Sequence, residues 1–207
     1  MDAQISLRSI CLPKAGWRMT APSEREEQLV ARARAGDREA FEELVREHAD
    51  RLHAVVLRIC GDVHEAEEVT QETFLRAWRS LERFEGRSRF FTWLYRIGVN
   101  EAKRRLERGG RRPRTTSLED PAIEVADDRP GPDARAEAGD LQRALERAIL
   151  DLPVKYRMPL VLRDVEGLST AEAADIMDLA EAAFKSRLHR ARLAVREAVE
   201  PFMGDEA

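Results

Sequence analysis

The chain has 207 residues, which suggests one or two domains. Charged residues make up 36% and aromatic residues only 6%, a composition that favours small helical domains over one large core. The formal net charge is −4, so any basic surface must be segregated within an acidic chain.

Several classes of protein are excluded at this level. No apolar run approaches the roughly 20 residues that span a bilayer. Cys11 and Cys60 form neither a C-x-x-C pair nor a disulfide framework, so we expect a reducing, cytosolic setting. The histidines show no zinc-binding spacing, which predicts no metal site and no cofactor; they are His48, His53, His64 and His189.

Residues 1–25 are predicted to form a flexible tail. Arg8, Lys14 and Arg18 are scattered through it, and it lacks the uninterrupted apolar stretch of a signal peptide. Met19 is an alternative translation start.

Residues 26–108 are predicted to form an N-terminal helical domain. Asp37 is placed to cap a helix that Gly61 ends, and Asp62 with Glu65 forms the start signal of the next one. A third helix is expected in "FFTWLYRIGVNEAKRRLER", residues 90–108. Each segment has an apolar stripe of helical period. The stripes are Phe41, Leu44, Val45, His48, Leu52, Val55, Val56 and Ile59; Ala66, Val69, Thr73, Ala77, Trp78 and Leu81; and Phe91, Leu94, Gly98, Ala102 and Leu106.

Residues 109–137 are predicted to be a flexible, acidic Pro/Gly linker. Prolines and glycines are frequent there and large apolar residues are few. Residues 115–140 hold eight acids and two arginines.

Residues 138–207 are predicted to form a second helical domain. Gly167 is expected to end one helix, Ser169 and Glu172 form a capping box, and Asp178 with Glu181 is expected to start the last helix. The inward residues of that last helix are Phe184, Leu188, Ala191, Val195 and Val199. No segment has the pattern of a strand, so the predicted fold class is all-α, with two small helical domains joined by the linker.

Two stretches concentrate positive charge. Residues 86–114 carry ten basic side chains and two acids, and "KSRLHRAR", residues 185–192, carries no acid. Basic clusters of this kind attract nucleic-acid phosphates. A solvated helix face is the alternative interpretation, but two separate clusters favour nucleic acid.

The second cluster lies on the last of two short helices with a tight turn between them, the outline of a helix-turn-helix. Lys185, Ser186, His189 and Arg190 share one face by their spacing. These side chains can contact base edges or phosphates.

The first cluster includes a stripe made of Trp93, Arg96, Asn100 and Lys103. An aromatic ring beside basic and amide groups suits unstacked bases. Trp93 as a core residue remains open as an alternative. Asn100 is harder to explain by packing, because asparagine is a poor helix former.

The chain resembles a known protein family. The resemblance rests on two segments, "AEEVTQETFLRAWRSLERFEGRSRFFTWLYRIGVNEAKRRLER" and "LPVKYRMPLVLRDVEGLSTAEAADIMDLAEAAFKSRLHRARLAV". They are similar to the second and fourth domains of bacterial extracytoplasmic-function (ECF, group IV) sigma factors of the sigma-70 family. The resemblance covers about residues 26–108 and 138–203, and implies a sigma2-like helical bundle and a sigma4-like helix-turn-helix.

The resemblance also implies a function. Such a protein binds bacterial core RNA polymerase, recognises promoter DNA and has no catalysis of its own. The −10 element would contact Phe84, Arg87, Arg89, Trp93, Arg96, Asn100, Lys103 and Arg104. The −35 element would contact Lys185, Ser186, His189 and Arg190. Core polymerase would dock on Glu68, Gln71, Glu72, Arg76 and Arg79. An anti-sigma factor, commonly membrane-anchored, would restrain the protein in the cytoplasm.

The sequence departs from the family pattern in three places. The turn before the recognition helix commonly has Pro-x-Gly-Thr-Val, whereas residues 180–184 here are Ala-Glu-Ala-Ala-Phe. Pro159 is expected to kink the helix that contains it. Arg104 occupies a position where many members carry an acid.

Two other classes of function fit the sequence less well. A stand-alone helix-turn-helix regulator would have no need of the Trp93–Asn100 stripe or of a polar docking face. An enzyme would need a nucleophile–base set, a phosphate-binding glycine loop or metal spacing, and the sequence offers none.

Overall fold

The computed structural model describes residues 23–108 and 132–202, with side chains described from residue 140 onward in the second range. These ranges contain eight α-helices: α1 (Glu24–Arg34), α2 (Arg38–Cys60), α3 (Val63–Ser80), α4 (Phe90–Arg108), α5 (Pro132–Asp151), α6 (Val154–Leu160), α7 (Thr170–Ile176) and α8 (Glu181–Val199). The all-α fold class is confirmed. The predicted tail and linker lie almost wholly outside the described residues.

The first domain is a bundle in which α2, α3 and α4 pack against one another and α1 covers α2. The predicted helix signals act as expected at two junctions. Asp37 accepts a hydrogen bond from the Ala40 amide, and Asp62 accepts one from the Glu65 amide. Gly61 ends α2 in the left-handed region with φ of 75°.

Two helices begin earlier than the predicted domain starts. The Ser23 side chain accepts a hydrogen bond from the Glu26 amide and caps α1, which begins at Glu24. Helix α5 begins at Pro132, inside the segment predicted as linker. The Ser-x-x-Glu spacing at residues 23–26 is a capping signal that was available in the sequence.

Helix α4 has the predicted bounds and the predicted inward face. Phe91, Leu94 and Ala102 are buried. Tyr95 is also fully buried, although the predicted stripe did not include it. Gly98 lies at the closest approach of α4 to its neighbours, because a Cβ atom at this position would lie 2.9 Å from Leu52 Cδ1.

In the second domain, α8 packs against α5, α6 and α7. All five predicted inward residues of α8 are buried. The capping box is present: Ser169 accepts a hydrogen bond from the Glu172 amide, and the Glu172 carboxylate accepts one from the Ser169 amide. Gly167, with φ of 73°, ends the preceding helical segment as predicted.

The predicted start signal of α8 is wrong. Ala180 is the N-cap, and no side chain among the described residues caps the helix there. Asp178 lies two residues earlier with φ of 53°, a left-handed conformation that aspartate tolerates better than most residues. It therefore belongs to the turn of the helix-turn-helix and not to the start of α8.

Pro159 ends the regular α-helix as its chemistry requires. Helix α6 stops at Leu160, one residue later, and a π-helical turn continues over Val161–Val165. Proline has no amide hydrogen to donate to the carbonyl four residues earlier, so the hydrogen-bond pattern shifts at this point.

The two domains contact each other. Helix α4 packs against α7 and α6, and α2 packs against α6 and the π-helical turn. Across the parts of the chain that the structure describes, none of the helices is long and apolar enough to cross a membrane.

The tight crossing at Gly98 gives a stability prediction. We expect Gly98→Val to lower the free energy of unfolding by about 1–3 kcal/mol, because the added atoms collide with fully buried Leu52. Urea denaturation of the full chain measures this. Glu107→Ala, at an exposed position of the same helix, is the matched control and should leave the unfolding midpoint unchanged. An unchanged midpoint for the valine variant would contradict the packing.

Candidate nucleic-acid interface

The outer face of α8 carries the residues predicted for one DNA contact. Lys185, Ser186, His189 and Arg190 are all exposed. On the opposite side, Phe184 and the rest of the inward stripe hold α8 on the domain core. The structure thus brings these four residues together on one accessible surface, which we call the α8 surface.

Two cations of the α8 surface have neighbours within the protein. Lys185 Nζ lies 3.3 Å from Glu181 Oε2, one turn earlier. Arg190 Nη1 donates a 3.3 Å hydrogen bond to the Tyr156 hydroxyl of α6. This hydrogen bond, together with the charge of Lys155, holds the pKa of Tyr156 below its ordinary value. An exposed ion pair such as Lys185–Glu181 contributes little energy, so Lys185 can exchange its partner for DNA.

The residues predicted for the other DNA contact divide into an exposed and a packed group. Asn100 and Lys103 are exposed on α4. Phe84 is 7% exposed, and its ring lies 5.0 Å from that of Trp93 and 6.1 Å from that of Phe90. Trp93 is half-buried against the core, which is compatible both with a core residue and with a contact to unstacked bases.

The arginines predicted beside Asn100 are paired with acids. Arg87 Nε lies 2.6 Å from Glu85 Oε2, and Arg104 Nη1 lies 3.2 Å from Glu101 Oε2. Arg96 pairs with the Asp175 carboxylate of α7 and donates a 2.9 Å hydrogen bond to the Asp175 carbonyl. The hydrogen bond with Ser169 is the main cause that lowers the pKa of Glu172, and the charge of Arg89 adds to it. Burial raises the pKa of Glu26, and the charge of Arg89 opposes that rise.

The predicted polymerase-docking residues line one side of α3. Gln71 and Arg79 are exposed, and Glu72 Oε1 lies 2.7 Å from Arg76 Nε. Glu68 pairs with Arg105 of α4. All of the predicted docking residues except Arg79 border a groove between α3 and α4, which is lined by Glu68, Val69, Gln71, Glu72, Leu75, Arg76, Glu101, Arg105 and Arg108.

Sequence reasoning missed an exposed apolar residue in the lining of this groove. Leu75 is 51% exposed, although it is a large apolar residue in the middle of a well-packed helix. Its spacing was a usable signal, because Leu75 follows Gln71 by four residues and precedes Arg79 by four. Arg105 and Arg108 of α4 complete the opposite wall.

One buried carboxylate organises the wall of the groove. Glu101 is 9% exposed, and its Oε2 lies 3.2 Å from both Arg76 Nε and Arg104 Nη1. A buried carboxylate requires such cations to offset the loss of hydration. Glu101 therefore links the docking face on α3 with a predicted DNA contact on α4.

Comparison with known proteins identifies two family regions in the chain. Residues 44–112 match the model of Sigma-70 region 2, and residues 142–195 match that of Sigma-70, region 4. The RNA polymerase sigma-H factor of Pseudomonas aeruginosa is 36% identical over 186 residues, which cover 87% of this chain and 96% of that protein. The ECF RNA polymerase sigma-E factor of Escherichia coli is 37% identical over 188 residues, which cover 86% and 96%.

Solved structures agree with this result. CnrH in complex with the cytosolic domain of CnrY is similar with a TM-score of 0.61 and 28% identity, over 86% of this chain and 99% of that one. The sigma factor RpoE of Bartonella quintana, solved with the anti-sigma factor NepR, shares the fold with a TM-score of 0.58 and 24% identity, over 77% and 96%.

The two family regions fall on the two domains that carry the basic surfaces, in the same order along the chain. The chain belongs to the extracytoplasmic-function RNA polymerase sigma factors of the sigma-70 family, which direct promoter-specific initiation of transcription.

Proposed function

We propose that this sigma factor recognises the −10 element with residues 26–108 and the −35 element with residues 138–207. The observation that carries the assignment is the presence of two separate basic surfaces, one on each domain. The stand-alone regulator is not favoured, because both sigma regions are present and the first domain adds a docking groove.

In the first domain, Asn100 and Lys103 are proposed as direct contacts with the −10 element. Both are exposed on one face of α4, and asparagine offers a donor and an acceptor to a base edge. Phe84 and Trp93 supply aromatic surface beside them. Four arginines beside these residues are proposed to contact phosphates: Arg87, Arg89, Arg96 and Arg104.

In the second domain, the α8 surface is proposed to lie in the major groove of the −35 element. Arg190 and Lys185 suit guanine edges or phosphates, and Ser186 and His189 suit either. Their exposure on one face of a helix held by its buried stripe supports this docking.

Core polymerase is proposed to bind the groove between α3 and α4. Its lining carries acids and arginines, and Leu75 adds exposed apolar surface to it. Specific protein interfaces usually combine an apolar residue that becomes buried on binding with a polar rim. The protein then supplies binding surfaces in the cytoplasm, without an enzymatic step of its own.

An anti-sigma factor is proposed as the inhibitory partner. CnrH was solved with the cytosolic domain of CnrY, and the Bartonella quintana RpoE was solved with the anti-sigma factor NepR. This chain is similar in fold to both. A membrane anchor on that partner would couple an external signal to the cytoplasmic sigma factor.

Reconstitution tests the function as a whole. We expect core RNA polymerase with this protein to give run-off transcripts from a randomised promoter library, and those promoters to share two spaced elements. Binding of duplex DNA without polymerase, with no polymerase-dependent transcripts, would instead support the stand-alone regulator.

Two variants of the first domain should separate its two tasks. Asn100→Ala removes a base-edge contact, so we expect discrimination in the −10 element to fall by about 1–3 kcal/mol while polymerase affinity is unchanged. Gln71→Ala, on the docking face, should weaken polymerase binding and leave −10 preference intact. Promoter competition and polymerase titration measure the two effects. Loss of polymerase binding by the Asn100 variant would make Asn100 a structural residue.

A further inference from the structure

Tyr156 of α6 lies at the edge of the α8 surface, although no sequence pattern pointed to it. Its hydroxyl accepts the hydrogen bond from Arg190 Nη1 at 3.3 Å. Lys155 Nζ lies 5.0 Å from the centre of its ring. Helix α6 packs directly on α8, so the ring is held by an element of the domain core.

We propose that Tyr156 is a positioning residue for Arg190 and thereby sets sequence preference in the −35 element. An arginine on an exposed helix face samples many rotamers, and ordering it on DNA costs conformational entropy. A hydroxyl fixed on a neighbouring helix restricts those rotamers before DNA binds. The remaining guanidinium donors keep the directional geometry that a guanine edge requires.

This inference rests on the proposed −35 contact of Arg190, and a double-variant cycle tests the two separately. Tyr156→Phe removes only the hydroxyl, whereas Arg190→Ala removes the contact itself. We expect Tyr156→Phe to lower preference roughly two- to tenfold at the same promoter position that Arg190→Ala affects, and to have little further effect in the double variant. The salt dependence of binding should stay unchanged for Tyr156→Phe, because no phosphate contact is lost.

The outcomes distinguish the two claims. A promoter profile unchanged by Arg190→Ala overturns the proposed −35 contact itself. A profile changed by Arg190→Ala but not by Tyr156→Phe overturns the positioning role alone. Additive effects of the two variants also overturn it, because they would mean that Tyr156 acts independently of Arg190. Reconstituted holoenzyme on a −35 library is the assay.

A second, independent observation concerns the seam between the domains. Tyr95 of α4 donates a 3.1 Å hydrogen bond to Glu166 Oε2, and Arg58 of α2 donates a 3.2 Å hydrogen bond to Glu166 Oε1. Arg157 Nη1 donates a 2.7 Å hydrogen bond to the Ile59 carbonyl. With the Arg96–Asp175 pair, these contacts define what we call the polar seam.

The Glu166 carboxylate is largely withdrawn from water within the polar seam. Its side chain is 6% exposed, and burial raises its pKa while the charge of Arg58 opposes that rise. Burial also raises the pKa of Tyr95, so the phenol remains a hydrogen-bond donor. Tyr95 and Arg58, which donate these hydrogen bonds to Glu166, belong to the other domain, so both bonds are lost when the domains separate.

The polar seam also occupies a proposed DNA contact. Arg96 cannot offer the same donors to a phosphate while Asp175 holds its guanidinium. We infer that the polar seam is an autoinhibitory contact. Until the domains separate, the second domain covers part of the surface with which the first domain is proposed to bind the −10 element. The apparent affinity for promoter is then reduced by the fraction of open molecules.

Energy transfer between dyes tests the polar seam in the full chain. The dyes go on Glu107→Cys and Ala194→Cys, both exposed positions, with Cys11→Ser in the background and Cys60 left buried. We expect Glu166→Ala to lower transfer in the free protein and to raise run-off transcription at limiting core polymerase. Asp164→Ala is the matched control, because Asp164 pairs with Arg192 inside the second domain.

Three results would overturn the inhibitory contact. The first is an energy-transfer efficiency in the parent protein that is already as low as in the Glu166→Ala variant. The second is the same transfer in Glu166→Ala and Asp164→Ala. The third is lower transfer without any gain in transcription, which would make the polar seam a packing contact without an inhibitory role.

Discussion

The buried guanidinium of Arg157 is the contact on which the arrangement of both domains depends. It donates hydrogen bonds to backbone carbonyls at the ends of two helices: Ile59 of α2 in the first domain, and Leu150 and Leu152 at the end of α5 in the second. Burial lowers the pKa of Arg157, and helix C-termini are the part of the backbone that best stabilises a cation. One side chain therefore fixes the start of α6 relative to both domains. Since α6 supports α8, the position of the α8 surface follows from the same contact.

In the folded protein, several arginines of the basic cluster are paired with carboxylates. The sequence places ten basic residues in 86–114, yet Arg87, Arg96, Arg104 and Arg105 each face a carboxylate in the folded chain. Such pairs are partly exposed, so their net stabilisation is small. A phosphate offers an arginine the same geometry as a carboxylate. In the proposed DNA complex, exchange of the acid for a phosphate then requires little energy for Arg87 and Arg104, whose acids lie in the same domain, whereas Arg96 is released only when the domains separate.

The sequence predicted local structure well because local structure has local causes. The bounds of α4, the inward stripe of α8 and the caps at Asp37 and Ser169 all follow from spacing within a few residues. The candidate DNA surfaces were predictable for the same reason, since they are helix faces. The polar seam was not, because Arg58 and Glu166 are 108 residues apart and no periodic pattern links them. Tyr95 of α4 is absent from the predicted stripe because its burial depends on the other domain, where its hydroxyl donates a hydrogen bond to Glu166.

The start of the recognition helix shows how packing replaces a missing local signal. Ala180 supplies no side-chain cap, a loss of about 1 kcal/mol relative to serine or aspartate. Phe184, in the first turn of α8, is fully buried and holds the helix on the core instead. The carboxylate of Glu181 is stabilised by the positive end of the helix dipole, but it would repel a DNA phosphate. Lys185 lies 3.3 Å from Glu181 and partly offsets that charge. In the proposed −35 contact, Lys185 divides its charge between Glu181 and DNA. The departure from the family turn is then expected to act on DNA binding through this lysine, whereas Phe184 holds α8 on the domain core.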